Sequence, residues 1–264
     1  MYELQYSKPS SVNDAVAEIK KSSDAKFLAG GMTMIPTLKA RLSSADLLVD
    51  LKGSNLSNIS VSSSEVVVGS MTRHCDVASS SDIKGSLPAL AKLAGGIGDH
   101  MVRSCGTIGG SLANNDPAAC YPSAVLGLGA TVVTNERSIT ADDFFEGMFE
   151  TALNEDEIIT EVKFPIPEKA SYIKFPNPAS RYAMVGVFMV KKADEISVAV
   201  TGAGENGVFR CQEIENVLNS NFALEALDNI QISHDNLTSD IHASAAYRAN
   251  LIKEMAKKGL QELI

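Results

Sequence analysis

The sequence has 264 residues, of which 45% are hydrophobic and 21% charged, and a formal net charge of −9. That mix belongs to a globular protein with a real core and excludes a chain that is disordered throughout. The acidic balance, with no block of Lys and Arg, excludes a general nucleic-acid binder.

In chain order, residues 11–21 predict a helix with Ser11 as N-cap and Val12, Ala15, Val16 and Ile19 on one face. Residues 27–29 read as a short buried strand that Gly30 and Gly31 break. A helix over 33–41 follows, with Pro36 tolerated in its first turn. Residues 47–51 and 66–69 predict strands, and 87–93 a helix introduced by Pro88. A glycine-rich segment covers 95–110. Residues 125–134 form an apolar stretch punctuated by Gly127 and Gly129 that ends as a strand over 130–133. The alternation in 157–164 predicts another strand, closed by Pro165 and Pro167. Beyond it, 172–175, 182–190 and 196–201 read as a three-stranded antiparallel meander. Helices then cover 211–218, 223–227 and 243–260, the last with Tyr247, Leu251, Met255 and Ala256 on one face and Arg248, Lys253 and Lys257 elsewhere. The layout is α+β in three parts, 1–55, 56–168 and 169–264.

Residues 1–6 lack the basic-then-apolar pattern of a signal peptide, and the apolar run 184–190 is too short to span a bilayer, so a cytoplasmic protein is expected. Cys75, Cys105, Cys120 and Cys211 are scattered, with no C-x-x-C pair and no histidine at zinc-like spacing. Four reduced thiols, rather than an intrinsic metal or iron–sulfur site, are the expectation. No Ser–His–Asp or paired-carboxylate arrangement points to hydrolysis.

Two segments carry the functional signal. In residues 27–36 a buried strand turns through Gly30 and Gly31 into a helix start, where free N–H groups favour a phosphate and Thr33 adds a hydroxyl. Residues 103–117 are dense in Gly, Ser, Thr, Asn and Asp, a composition that exposes consecutive N–H groups. Each segment alone reads better as a tight turn, and the first matches neither the Rossmann nor the P-loop spacing. Two in one chain point to a large phosphate-bearing ligand.

At these residues the sequence resembles the FAD-binding medium subunits of molybdenum hydroxylases, the carbon monoxide dehydrogenase and xanthine dehydrogenase family. The pattern A-G-G-x-[ST]-x-x-P stands at 29–36, I-G-D-x-x-[IV]-R at 97–103, T-I-G-G-[SN] at 107–111 and N-x-D-P at 114–117. D-E-I-I-x-x-V-x-F-P follows at 156–165 and S-D-x-x-x-[SG]-x-x-Y-R at 239–248, so the resemblance covers nearly the whole chain.

The resemblance implies two α/β subdomains of the vanillyl-alcohol-oxidase type that clasp FAD, plus a C-terminal three-stranded antiparallel sheet with helices. Ala29, Gly30, Gly31, Met32 and Thr33 would hold the diphosphate through backbone N–H groups. Met34 and Ile97 lie in the same motifs and would line the cofactor. Thr107, Ile108, Gly109, Gly110 and Ser111 would form a second wall. Asp116 would hold the ribityl or ribose end, Ile159 would pack on the ring system, Lys174 would approach the flavin's polar edge, and Tyr182 would lie beside the isoalloxazine. His74 and His100 are not expected to attach flavin covalently. This sequence has Cys120 and Arg181 where relatives often carry acidic residues, and Cys105 where they carry Arg; these departures bear on polar contacts to FAD and on its tuning.

The implied function is electron transfer. Substrate is oxidised on a molybdopterin large subunit, electrons pass through an iron–sulfur small subunit to FAD here, and leave to an external acceptor, in a heterotrimer or a dimer of heterotrimers. A stand-alone FAD oxidoreductase and a non-catalytic assembly subunit are the alternatives.

Overall fold

The computed structural model describes residues 1–193 and 195–264. The chain opens with β1 (Gln5–Ser7), α1 (Val12–Ile19), β2 (Ala25–Leu28), α2 (Met34–Lys39) and β3 (Leu47–Asp50). Its strands make a parallel sheet in the order β1-β3-β2. Parallel neighbours require crossovers, and α1 and α2 supply them. Ser11 caps α1 by accepting from the Asp14 N–H at 3.1 Å, and α1 buries Ala15 and Ile19 among Leu47, Val49 and Leu51. β3 is buried along its length, as a central parallel strand must be.

The middle of the chain holds β4 (Ile59–Val61), β5 (Glu65–Gly69), α3 (His74–Ser79), α4 (Ser81–Ser86), α5 (Pro88–Gly95), α6 (His100–Cys105), α7 (Ile108–Asn114), α8 (Tyr121–Leu128), β6 (Thr131–Thr134), β7 (Ser138–Thr140), α9 (Ala141–Phe144), β8 (Phe145–Gly147), β9 (Glu150–Thr151) and β10 (Ile159–Pro165). An antiparallel sheet runs β4-β5-β10-β6-β7, and β8 and β9 form a separate hairpin. The glycine-rich segment 95–110 is therefore not an extended loop. Asp99 caps α6 through the Val102 N–H at 2.9 Å, and Thr107 caps α7 through the Gly110 N–H at 3.1 Å. The apolar stretch that starts at 125 is likewise a helix before it is a strand. All of α8 is buried, which removes the amphipathic period that marks a surface helix.

The last third contributes β11 (Lys169–Pro176), β12 (Ala183–Lys191), β13 (Ile196–Thr201), β14 (Phe209–Arg210), α10 (Gln212–Ser220) and α11 (Ala245–Leu263). Here the expected three-stranded meander is a four-stranded sheet, β11-β12-β13-β14, because two residues of β14 pair Phe209 with Val200 and Arg210 with Ala199. The segment expected as a helix at 223–227 is a 3-10 turn, Leu224–Leu227. One face of this sheet meets α11, whose Leu251, Ile252, Met255 and Leu260 pack with Val185, Val187 and Val198. Each such aliphatic side chain contributes roughly 1.5–3 kcal/mol by leaving water. Arg248 departs from expectation: it is 4% exposed and reaches under the sheet.

The other face of the four-stranded sheet meets α8. Gly127 makes the close approach possible, since a Cβ there would sit 3.3 Å from the Phe188 ring and 3.4 Å from the Ala199 methyl. The segment leading into α8 is latched to β13: the Thr201 hydroxyl donates to the Pro117 and Ala119 carbonyls at 3.0 and 2.6 Å, and the Gly202 N–H to Pro117 at 2.8 Å. These contacts fix α8 and the segment that leads into it against the four-stranded sheet.

Candidate functional site

The cleft has a volume of about 570 Å³, within the range of roughly 300–1,000 Å³ of small-molecule sites. One wall is the β2–α2 loop, the second the α6–α7 region with the end of β5, and the third the start of β10 with Lys174 and residues 179–182. Of the residues named from the sequence, Ala29, Gly30, Gly31, Met32, Thr33, Met34, Ile97, Thr107, Gly109, Gly110, Ser111, Asp116, Ile159, Lys174 and Tyr182 line it. Ile108 does not; it is fully buried in the core with Leu112 and Val68. An apolar side chain in the first turn of α7 that faces the sheet has no path to a ligand on the opposite side.

The β2–α2 loop leaves its sheet at Leu28. Gly31 takes φ +71°, a left-handed value that glycine adopts without penalty. Gly30 lies directly on the other wall: a Cβ would collide with the Cys105 carbonyl and approach the Gly106 Cα to 2.7 Å. Among the described residues, the N–H groups of Gly30, Gly31, Met32, Thr33 and Met34 find no acceptor within the protein. Thr33 holds the N-cap position of α2, and its side chain makes no capping bond, so its hydroxyl is available as well.

The second wall differs from the amide-presenting loop expected from its composition. The Ile108 N–H donates to Thr72 O at 3.1 Å, Gly109 to Ser70 O at 2.8 Å, Gly110 to the Thr107 hydroxyl at 3.1 Å and Ser111 to Thr107 O at 3.0 Å. Those amides are engaged internally, because the segment is a capped helix start docked on the turn that follows β5. What it offers the cleft is a smooth glycine surface and the Ser111 side chain. Asn115 ends α7 at φ 39° and locks the β8–β9 hairpin, its amide donating to Gly147 O and Glu150 O, both at 2.8 Å. Asp116 accepts from the Ala118 N–H at 2.8 Å, a turn-building role, while still lining the cleft.

On the third wall the Lys174 ammonium donates to Gly96 O at 2.7 Å and stands 3.6 Å from Cys120 Sγ. Tyr182 is 48% exposed at the rim. Burial, then the nearby Asp116 and Cys120, push its phenol up. Asn177 ties the turn that carries Tyr182, its side-chain oxygen accepting from the Ala179 and Ser180 N–H groups, and the turn closes with Arg181 at φ 64°.

Two cleft residues outside the predicted binding set have strongly shifted side chains. Glu157 is bound by Arg137 Nε and Nη2, both at 3.0 Å, by the Thr134 hydroxyl at 2.7 Å and by the Asn154 N–H at 3.0 Å. The Arg137 pairing first, with the backbone and Thr134 bonds, holds its carboxyl down at about 2 despite burial. This fixes the turn into β10 and thus Ile159. His74 is 5% exposed, and its ring lies 5.4 Å from that of Tyr121. Its Nδ1 has no partner among the described residues. Burial, then the charge of Arg103, lower its pKa to about 4. A histidine depressed from 6.5 stabilises the fold above pH 6.5 and loses that contribution as the pH falls toward 4, because the unfolded chain takes up the proton first. Thermal melts of the wild type should lose about 3 kcal/mol between pH 6.5 and 4 through this group. In His74→Gln that part of the slope should vanish; an unchanged slope would refute the assignment.

A run of unpaired amides facing a glycine surface, in a cleft between a parallel βαβ unit and antiparallel sheets, defines a protein that binds a diphosphate-bearing cofactor. Residues 2–167 match the family model described as the FAD binding domain in molybdopterin dehydrogenase, and the chain belongs to that family. It is 31% identical to the glyceraldehyde dehydrogenase medium chain of Sulfolobus acidocaldarius, over 99% of this chain and 98% of that one. It is also 31% identical to the nicotine 6-hydroxylase medium subunit of Paenarthrobacter nicotinovorans, over 98% and 96%. A solved structure of reconstituted CO dehydrogenase from Oligotropha carboxidovorans superposes with a TM-score of 0.90 at 29% identity, covering 99% of this chain and 97% of that chain. The cofactor is FAD, and the chain is an oxidoreductase subunit of the molybdenum hydroxylase type. The residues present suit FAD: the free amides match a diphosphate, and Ile97 and Ile159 give the cleft apolar walls for ring systems.

Proposed function

We propose that this chain receives electrons from the iron–sulfur clusters of a small partner subunit, which a molybdopterin-bearing large subunit feeds, and passes them from FAD to an external acceptor. The observation that carries the reading is the row of free N–H groups from Gly30 to Met34 on the cleft floor. In it, those amides and the Thr33 hydroxyl bind the diphosphate. Gly109, Gly110 and Ser111 bound the opposite side, with Thr107 behind them as the helix cap. Asp116 meets the ribityl or ribose end, Ile97 and Ile159 sandwich a ring, Lys174 faces the flavin's polar edge and Tyr182 covers the isoalloxazine. When bound, FAD supplies the conversion between two-electron and one-electron transfer; the protein positions it and sets the surrounding charge.

The relatives named as medium chains and subunits support an assembly of three kinds of subunit, present once or twice. We assign the iron–sulfur clusters to a partner subunit. None of the described helices is long and apolar enough to cross a membrane, and we assign the complex to the cytoplasm. We also assign residues 1–55 and 56–168 to two subdomains of the vanillyl-alcohol-oxidase type that clasp FAD, and 169–264 to a C-terminal flavoprotein domain. The test is direct. The purified chain titrated with FAD should bind one equivalent and quench its fluorescence, and the co-expressed chain should copurify with iron–sulfur and molybdopterin subunits. A folded chain that takes up no FAD overturns the assignment.

A further inference from the structure

The third wall of the cleft holds a cation without an anion. Lys174 has no carboxylate within 4.0 Å among the described residues. Its near neighbours are a carbonyl, Gly96 O at 2.7 Å, and a thiol, Cys120 Sγ at 3.6 Å. The carboxylates that line the cleft are all engaged elsewhere. Asp99 caps α6, Asp116 closes its own turn, and Glu157 is bound by Arg137. The Cys120 position is built rather than incidental. The thiol is 5% exposed at the start of α8, in the segment latched to β13. Behind it stands the Tyr172 phenol, buried and with no hydrogen-bond partner among the described residues, its proton held more tightly by burial and then by the nearby Cys120. Gly186 leaves room for that phenol, since a Cβ there would lie 2.7 Å from its oxygen.

Resting on the reading that FAD fills this cleft, we propose that Cys120 tunes the flavin by placing a thiol, and no carboxylate, beside Lys174, so that the positive charge of Lys174 is not paired with a carboxylate and raises the reduction potential. Uptake of two electrons and one proton leaves one added negative charge on the ring system. A fixed cation in a partly buried cleft, where screening is weak, favours that state over the oxidised one. A carboxylate at position 120 would neutralise the ammonium and remove the preference. Cys120 is thus a positioning residue that acts through Lys174.

The experiment equilibrates the FAD-loaded full chain with a redox dye of known potential. Cys120→Asp and Lys174→Met should each shift the reduction equilibrium at least tenfold toward the oxidised form, about 30 mV for a two-electron couple. Cys120→Ser, neutral and similar in size, should stay within threefold of wild type. If either loaded charge variant keeps the wild-type equilibrium, the proposal fails. If both charge variants refuse FAD while the wild type accepts it, the pair belongs to binding and the proposal also fails. A wild-type chain that refuses FAD instead defeats the functional reading beneath it.

Discussion

Gly30→Ala should abolish flavin uptake, weakening FAD binding at least a hundredfold in a fluorescence titration. The new Cβ would collide with the Cys105 carbonyl and come within 2.7 Å of the Gly106 Cα. Both are backbone atoms, so no flexible side chain can turn aside. The two walls must part, carrying the free amides of residues 30–34 away from the Gly110 surface. Overpacking of this kind also costs about 1–3 kcal/mol, which a thermal melt will register. Gly85→Ala is the control. Gly85 lies in α4 with nothing within 4 Å of its Cβ position, so alanine there should stabilise by roughly 0.5–1 kcal/mol and leave FAD binding unchanged. Wild-type affinity in Gly30→Ala would mean that the contact between the walls is dispensable.

Arg248→Met should produce the largest loss of stability outside the cleft. Arg248 Nη1 donates to Met184 O at 2.7 Å and Gly202 O at 2.8 Å, and Nη2 to Asp240 at 2.8 Å. Truncation leaves two carbonyls and a carboxylate without their donor. Leaving a buried polar group without its partner costs about 1–3 kcal/mol each, and the melting temperature should fall by on the order of 10 °C. Asp240→Asn should cost less, because the side-chain oxygen can still accept from the His242 and Ala243 N–H groups. Equal losses in the two variants would show that the carboxylate, rather than the carbonyl contacts, gives Arg248 its weight.

Much of this architecture could be read from periodicity. α1 announces itself through Ser11 and the spacing of Ala15 and Ile19, and β12 and β13 through long β-branched runs. What escaped did so for identifiable reasons. α8 is apolar on every side and carries Pro122 and Gly127, so it shows neither a helical stripe nor a helical composition. β14 is two residues long and exists only because β13 offers it an edge. The burial of Arg248 had no local signal, because its acceptors, Met184 and Gly202, are far away in sequence. In the site, the glycines of both segments line the cleft, but they did not reveal which amides would be free. That depended on whether each segment's amides met backbone carbonyls of another segment: those of 108 and 109 do, at Thr72 and Ser70 just beyond β5, and those of 30–34 do not among the described residues. His74 and Glu157 had no local signal, since each owes its character to burial among residues distant in the chain.

Three sheets line the cleft, the parallel sheet through the β2–α2 loop, the five-stranded sheet through the ends of β5 and β10, and the four-stranded sheet through Lys174, so a molecule seated there touches all three at once. Such a molecule binds the folded chain and has nothing to grip in the unfolded one. By mass action, free cofactor at a hundred times its dissociation constant adds about 2.7 kcal/mol to the stability of the whole chain. Riboflavin supply would then govern how much of this polypeptide survives in the cell, as well as how much of it is active.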